Sequence, residues 1–297
     1  MRYRVTHRTD YSYDADVSGS FGFAHLTPRA LTSQRTSDHR VAIEPAPGDL
    51  RTHVDGYGNT ATYFHVTEPH RRLTIDASTE VDVLAPVYDA QALAAPWESA
   101  RPLAHPGTRG AWAATEFALA SPKVLQVPDA TEYAAASLLP GRPIGEAVTD
   151  LMHRIKADFH YDGTATTVTS TVPDVLAKRA GVCQDFAHLA LACLRGHGVA
   201  ARYVSGYLAT TPPPGRARVV GADASHAWVA VWLPASDQWL AFDPTNDQWV
   251  ADRHVTVAWG RDYGDVTPVK GVIYTEAKRS TLRVSVDVAP LESYAPA

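Results

Sequence analysis

Hydrophobic and polar positions alternate from the start of the chain. Tyr3, Val5, His7, Thr9 and Tyr11 fall on one side, with polar residues between them. A period of two is the signature of a strand with one buried face. Strand-like runs recur at 61–66, 73–77 and 80–83, and Asp55-Gly56-Tyr57-Gly58-Asn59 is a turn cluster before the first of them. Residues 1–90 therefore predict a β-rich module, sandwich-like or barrel-like. Residues 91–140 carry much alanine, several prolines and no period-two pattern, which predicts short helices joined by loops. At 143–159 the spacing becomes three and four, through Ile144, Val148, Leu151, Ile155 and Phe159, and predicts a helix. A threonine-rich loop follows over 161–172, and Pro173-Asp174 opens a short helix ending at Lys178.

Gly181 precedes the most helical run. Val182, Phe186, Leu189, Ala190, Cys193 and Leu194 form one apolar stripe over 182–195, and Gly196-His197-Gly198 stops it. The period then returns to two. Residues 201–208 predict a strand, 211–215 a proline-rich loop, and 226–233 and 239–243 two more strands. The tail, 255–288, carries further strand signals, including 282–288. No internal repeat or low-complexity tract interrupts the pattern.

Composition narrows the function classes. With 297 residues, 45% hydrophobic and 20% charged, the chain is globular and long enough for one large domain or two modest ones. Its formal charge of 27 − 32 = −5 has no basic block, which argues against binding nucleic acid or an anionic membrane surface. No run approaches the ~18 apolar residues of a membrane helix, and the opening residues lack the apolar segment of a signal peptide. The expected compartment is the cytoplasm. The two cysteines, Cys183 and Cys193, sit ten residues apart in one predicted helix. At ~1.5 Å rise they are about 15 Å apart, beyond the ~7 Å reach of a disulfide, so both are expected as free thiols.

Cys183 falls at the N-terminus of that helix, where unpaired N–H groups and the helix dipole favour a thiolate. Taken alone, a cysteine is more often a small buried hydrophobe, and mid-stripe Cys193 fits that description. His226 opens a strand, and Asp243 ends the next. If the two form a hairpin with His226 opposite Asp243, then Trp232 faces Asp237 across a four-residue loop, 233–236, and carboxylate and imidazole share one face. A lone histidine is usually a satisfied structural one, and a lone aspartate before proline usually caps a turn. Cysteine, histidine and aspartate in this order together supply nucleophile, base and orienter.

The stretches Gly181-Val182-Cys183-Gln184-Asp185-Phe186-Ala187, Ala201-Arg202-Tyr203-Val204-Ser205-Gly206-Tyr207, His226-Ala227-Trp228-Val229 and Phe242-Asp243-Pro244-Thr245 resemble the transglutaminase-like superfamily. The closer resemblance is to its bacterial members described as cysteine proteases. Tyr3-Arg4-Val5-Thr6-His7, Leu26-Thr27-Pro28-Arg29 and the turn at 55–59 resemble their N-terminal region. Gly260-Arg261-Asp262-Tyr263 and Asp265-Val266-Thr267-Pro268 resemble the segment after their core. The resemblance implies an α+β fold: a papain-like core with a central helix on an antiparallel sheet, over 91–297 with a helical insert and C-terminal strands, behind an N-terminal β-rich domain, 1–90. It implies Cys183 as nucleophile, His226 as general base and acid, and Asp243 as orienter. The substrate would be a peptide or protein amide, with water or an amine as acceptor and no cofactor.

An oxyanion donor is needed. The Cys183 N–H is one candidate. Tyr161 could add its hydroxyl, though packing beside the helix is the plainer role. Trp228 shares a predicted strand face with His226 and either walls the cleft or is a core tryptophan. Arg261, Asp262 and Tyr263 either reach the cleft or, the plainer reading, form an ion pair with a packed ring, and Gln184 and Asp185 either line the site or brace the helix. Cys183, His226 and Asp243 are metal-ligand types, but the 13 histidines are scattered and no C-x-x-C or H-E-x-x-H spacing occurs, so no metal is expected. The alternative to an enzyme is a protein-interaction module on an inactive scaffold of this family.

Overall fold

The computed structural model of the protein describes residues 1–210 and 225–291, and the loop expected at 211–215 lies outside the described residues. The chain opens with β1 (Arg2–Ala24), β2 (Gln34–Glu44), β3 (Asp49–Val54), β4 (Thr60–Val66) and β5 (His70–Val83). Short helices α1 (Ala90–Ala94), α2 (Ala111–Thr115) and α3 (Pro128–Ala135) follow, then α4 (Ile144–Asp158). The next elements are β6 (His160–Tyr161), α5 (Val172–Lys178), β7 (Ala180–Gly181) and the central helix α6 (Cys183–Gly196). The chain continues through β8 (Ala201–Leu208), β9 (Ser225–Leu233), β10 (Gln238–Asp243), β11 (Gln248–Trp249) and β12 (His254–Gly260) to β13 (Val269–Thr275) and β14 (Ser280–Pro290).

Long β1 is the axis of the first sheet. Tyr3, Val5, His7 and Thr9 are buried in alternation with more exposed neighbours, as the period of two requires. Its first half pairs with β5 and its second half with β4, with a break in register between Ser12 and Val17. The two arms curl together over Tyr13, Val17, Phe64, Val66 and Ile75, giving a sandwich-like curl made from one sheet. The other edge of β1 is taken by β13 and β14. The terminal strands, expected with the core, thus hydrogen-bond to the N-terminal sheet. Alternation marks a strand but does not name its partner.

The second sheet is antiparallel, in the order β11-β10-β9-β8-β12. Ala227, Val229, Val231 and Leu233 of β9 join the same core as Phe186, Leu189, Ala190 and Cys193 of α6. Helix α6 is buried nearly all round, as a central helix should be. It ends in a Schellman motif: Gly198 adopts φ 77° and donates to Arg195 O at 2.9 Å, while Val199 donates to Leu194 O at 3.1 Å.

The edge strand β12 is covered from the N-terminal side by side-chain amides. Gln34 gives Nε2 to Thr256 O and takes Thr256 N–H on Oε1, both at 2.8 Å. Asn59 does the same for Trp259, with both bonds at 2.9 Å. Each carboxamide stands in for the peptide group of a missing strand and blocks edge pairing. The 55–59 turn therefore docks one sheet to the other. A bond of 2.9 Å between buried His7 Nδ1 and the Tyr207 hydroxyl adds a second tie.

Candidate active site

Cys183 is the first residue of α6, after the extended Val182. Asp185, two residues on, is buried and turns back. Its Oδ2 accepts from Val182 N–H at 2.8 Å and from the Thr166 hydroxyl at 2.6 Å. Asp185 thus braces the helix start, with its negative charge at the positive end of the dipole. Gly181 makes this possible, because a Cβ there would lie 2.7 Å from Asp185 Oδ2. Parallel pairing of Tyr161 with Gly181 brings Tyr161 to the same end of the helix.

His226 and Asp243 come from neighbouring strands, but their register differs from the expected one. Gln238 pairs with Leu233 and Trp239 with Trp232, so the loop is 234–237 and Asp237 closes it with φ 53°. The shift is two residues. Side chains alternate with period two, so the predicted face survives and Asp243 reaches His226 along a diagonal. His226 Nε2 lies 2.7 Å from Asp243 Oδ2.

Asp243 is fully buried, and its two oxygens divide the work. Oδ1 accepts from the backbone N–H of Thr245 (3.0 Å) and Asn246 (3.2 Å), which is the turn-capping role of an aspartate before proline. Oδ2 faces three nitrogens: His226 Nε2, Asn246 Nδ2 at 2.7 Å and His254 Nε2 at 3.4 Å. Burial disfavours its charge, yet the hydrogen bonds from His226, His254 and Asn246 hold the carboxyl far below the usual range. Burial likewise opposes the His226 imidazolium. Its hydrogen bonds to Asp243 and Cys183, with their charges, outweigh that and raise it to about 10. With Nε2 engaged by Asp243, Nδ1 is the nitrogen left for Cys183.

Neither Asn246 nor His254 stood out in the sequence. The faint signal for Asn246 was its place in the turn that Asp243 caps. His254 arrives from β12, two strands away, and no local pattern announces it. Ala251 N–H donates to His254 Nδ1 at 3.3 Å, which leaves the proton on Nε2, directed at Asp243. His226, Asp243 and His254 bring ligand-type atoms within 4.8 Å of one another. Hydrogen-bond donors converge on the carboxylate oxygen that a cation would need, so the donor set fits an imidazole-carboxylate network better than a metal cage.

A cleft of about 240 Å³ opens at His226, lined also by Tyr161, Lys156, Leu208 and Asn246. Lys156 Nζ donates to Thr245 O at 3.0 Å. Tyr161 is 53% exposed, and burial and then the nearby Cys183 raise its hydroxyl pKa. Trp228, by contrast, is 1% exposed and packs behind the His226 ring, against His254. Arg261 is tied to Asp265 at 2.9 Å. Asp262 accepts from the Lys123 and Gly264 backbone, which are structural roles. Cys193 is fully buried, and burial raises its thiol to about 12.

A central helix with a cysteine at its tip, lying on an antiparallel sheet that carries histidine and aspartate, defines the papain-like α+β class. Residues 132–244 match the transglutaminase-like superfamily, and residues 3–82 match the bacterial transglutaminase-like N-terminal region. The chain is 52% identical to "Uncharacterized protein Rv2569c" of Mycobacterium tuberculosis, covering 98% of this chain and 93% of the relative. It is 33% identical to "Uncharacterized protein ML0607" of Mycobacterium leprae, covering 98% and 99%. Its fold is similar to the crystal structure of "a Putative Cysteine Protease from Cytophaga hutchinsonii", with a TM-score of 0.67, 17% identity and 97% of each chain covered. The chain belongs to the transglutaminase-like superfamily and carries that superfamily's bacterial N-terminal region.

Proposed function

We propose that the protein is a cysteine-dependent enzyme that cleaves or transfers the acyl group of peptide or protein amides, with Cys183, His226 and Asp243 as its triad. The observation that carries this is the 2.7 Å bond from His226 to a fully buried Asp243, with Cys183 at the helix tip near enough to raise the pKa of the same ring. The Cys183 thiolate attacks the carbonyl carbon, and the carbonyl electrons move onto oxygen. The Cys183 N–H, among the N–H groups of α6 with no intrahelical partner, stabilises the oxyanion, and the Tyr161 hydroxyl is the second donor. His226 Nδ1–H protonates the leaving nitrogen as the C–N bond breaks, which leaves a thioester on Cys183. Water or an amine then attacks the thioester and gives its proton to His226 Nδ1, and Cys183 departs as thiolate. Asp243 fixes the ring and stays ionised throughout. Trp228 supports the ring from behind.

The test is to incubate the protein with a peptide library and a labelled primary amine and to search for adducts by mass spectrometry. The expected result is an acyl adduct on Cys183, with cleaved or amine-tagged peptides that vanish in Cys183→Ala. Turnover by Cys183→Ala equal to the native protein would overturn the proposal.

A further inference from the structure

The face of the second sheet away from α6 encloses a cavity of about 690 Å³, separate from the cleft at His226. Three tryptophans, Trp228, Trp239 and Trp259, line it together with Tyr88, His254 and Arg202. The guanidinium of Arg202 lies between two of the indoles, 3.6 Å from the Trp259 centroid and 4.3 Å from that of Trp239. Arg29 stacks on the far side of Trp259, at 3.4 Å.

Two arginines in neighbouring elements make the contrast, one buried and one half-buried. Arg195 is 5% exposed and fully employed, donating to Phe117 O, Ala201 O, Arg261 O and the Ser121 hydroxyl. Arg202 donates to no described residue and has no carboxylate partner among them, and its Nε is buried without an acceptor. Burial and then the charge of Arg29 push its pKa well down, against a smaller opposing effect of Tyr88. A guanidinium keeps its charge in proteins and needs a partner when desolvated. Tyr88 adds a second donor: its oxygen accepts Ala241 N–H at 3.0 Å, and its own O–H has no acceptor among the described residues. Asp237 is the one carboxylate among the described lining residues, and it accepts from the Trp232 indole at 3.3 Å.

We propose that this cavity is a binding site for a small organic monocarboxylate with a flat or apolar body, its carboxylate taken by Arg202 and Tyr88 and its body held between the tryptophans. A planar fork suits a carboxylate bidentately, and the volume is that of a small-molecule site. One guanidinium among the described lining residues favours a monoanion over a phosphate dianion.

The experiment is isothermal titration of the full chain with 3-phenylpropionate, its neutral amide 3-phenylpropanamide, and inorganic phosphate. Indole N–H signals are followed by NMR in parallel. The expected result is saturable binding of the acid that shifts the indole signals of Trp228, Trp239 and Trp259. The amide should bind at least about tenfold more weakly, as expected for loss of a charge-assisted hydrogen bond. Arg202→Met should lose binding by about tenfold or more, Tyr88→Phe by a smaller factor, and Cys183→Ala should bind unchanged. Equal affinity for acid and amide, or no binding of the acid, would overturn the proposal. Phosphate binding as tight as the acid would overturn the monocarboxylate assignment. If Arg202→Met fails to fold, the acid–amide comparison and Tyr88→Phe still decide.

Discussion

The two faces of the second sheet are made by the same strands and have opposite characters. Toward α6, β9 presents Ala227, Val229, Val231 and Leu233, which close against Phe186, Leu189 and Cys193 in a buried apolar core. Away from α6 it presents Trp228 and Ala230, beside Arg202, Trp239 and His254, around an open cavity, with His226 on the same face at the start of the strand in its own cleft. Period-two alternation sorts the residues: one set holds the fold, and its immediate neighbours supply the groups to which the proposal assigns the chemistry. The two thiols repeat the lesson. Cys193, turned into the core, is pushed to about 12 by burial, whereas Cys183 sits at the helix tip beside His226.

The comparison breaks most sharply at Cys183. Cys183→Ala should lower acyl transfer by on the order of 10⁴-fold or more while thermal unfolding shifts by no more than about 2 °C, checked by single-turnover assay and calorimetry. Leu189→Ala, on the packing side, should do the reverse. It should cost about 2–5 kcal/mol in urea denaturation with activity per folded molecule little changed. Asp243→Asn should fall between, with a smaller loss than Cys183→Ala. It should also move the alkaline limb of the pH–rate profile from about 10 toward the ordinary histidine value.

The pH dependence of stability sharpens the same contrast at lower amplitude. The folded pKa of His226, about 10, lies above its ordinary 6.5. Its pairing therefore stabilises the fold fully below about pH 6.5, and that contribution disappears as pH rises through about 10. Asp243 acts in the opposite sense, because its folded pKa is depressed: its contribution is present above the ordinary carboxylate range and is lost as pH falls. Denaturant midpoints measured across pH should show both limbs in the native protein, and the alkaline one should be missing in Asp243→Asn. His254→Phe should have the smallest effect, about a tenfold fall in kcat with KM nearly unchanged, since it removes one of several donors to Asp243.

Local pattern carried much of this molecule. The stripe through Val182, Phe186, Leu189 and Cys193 and its glycine stop locate α6 within a residue or so. Alternation locates β8, β9 and β10, and the turn at 55–59 is a turn. What escaped was non-local. The β9–β10 register depends on Asp237 taking a left-handed conformation, which aspartate tolerates without advertising it. The two-residue error was harmless only because it was even. β13 and β14 carry clear strand signals, yet their pairing with β1 joins residues far apart in the chain, such as Thr6 and Asp287. His254 and Asn246 were illegible for a related reason: what matters is the oxygen they point at, and only the folded sheet reveals it.

The central claim is that one sulfur, at the tip of α6 and beside an imidazole held by Asp243, is the chemically competent one. Iodoacetamide alkylation of the native protein from pH 5 to 9, followed residue by residue by mass spectrometry, tests it most directly. The account predicts rapid labelling of Cys183 well below pH 8, slowed in His226→Ala, with Cys193 unlabelled until the protein unfolds. Labelling of Cys183 no faster than free cysteine at every pH, and indifferent to His226→Ala, would contradict it.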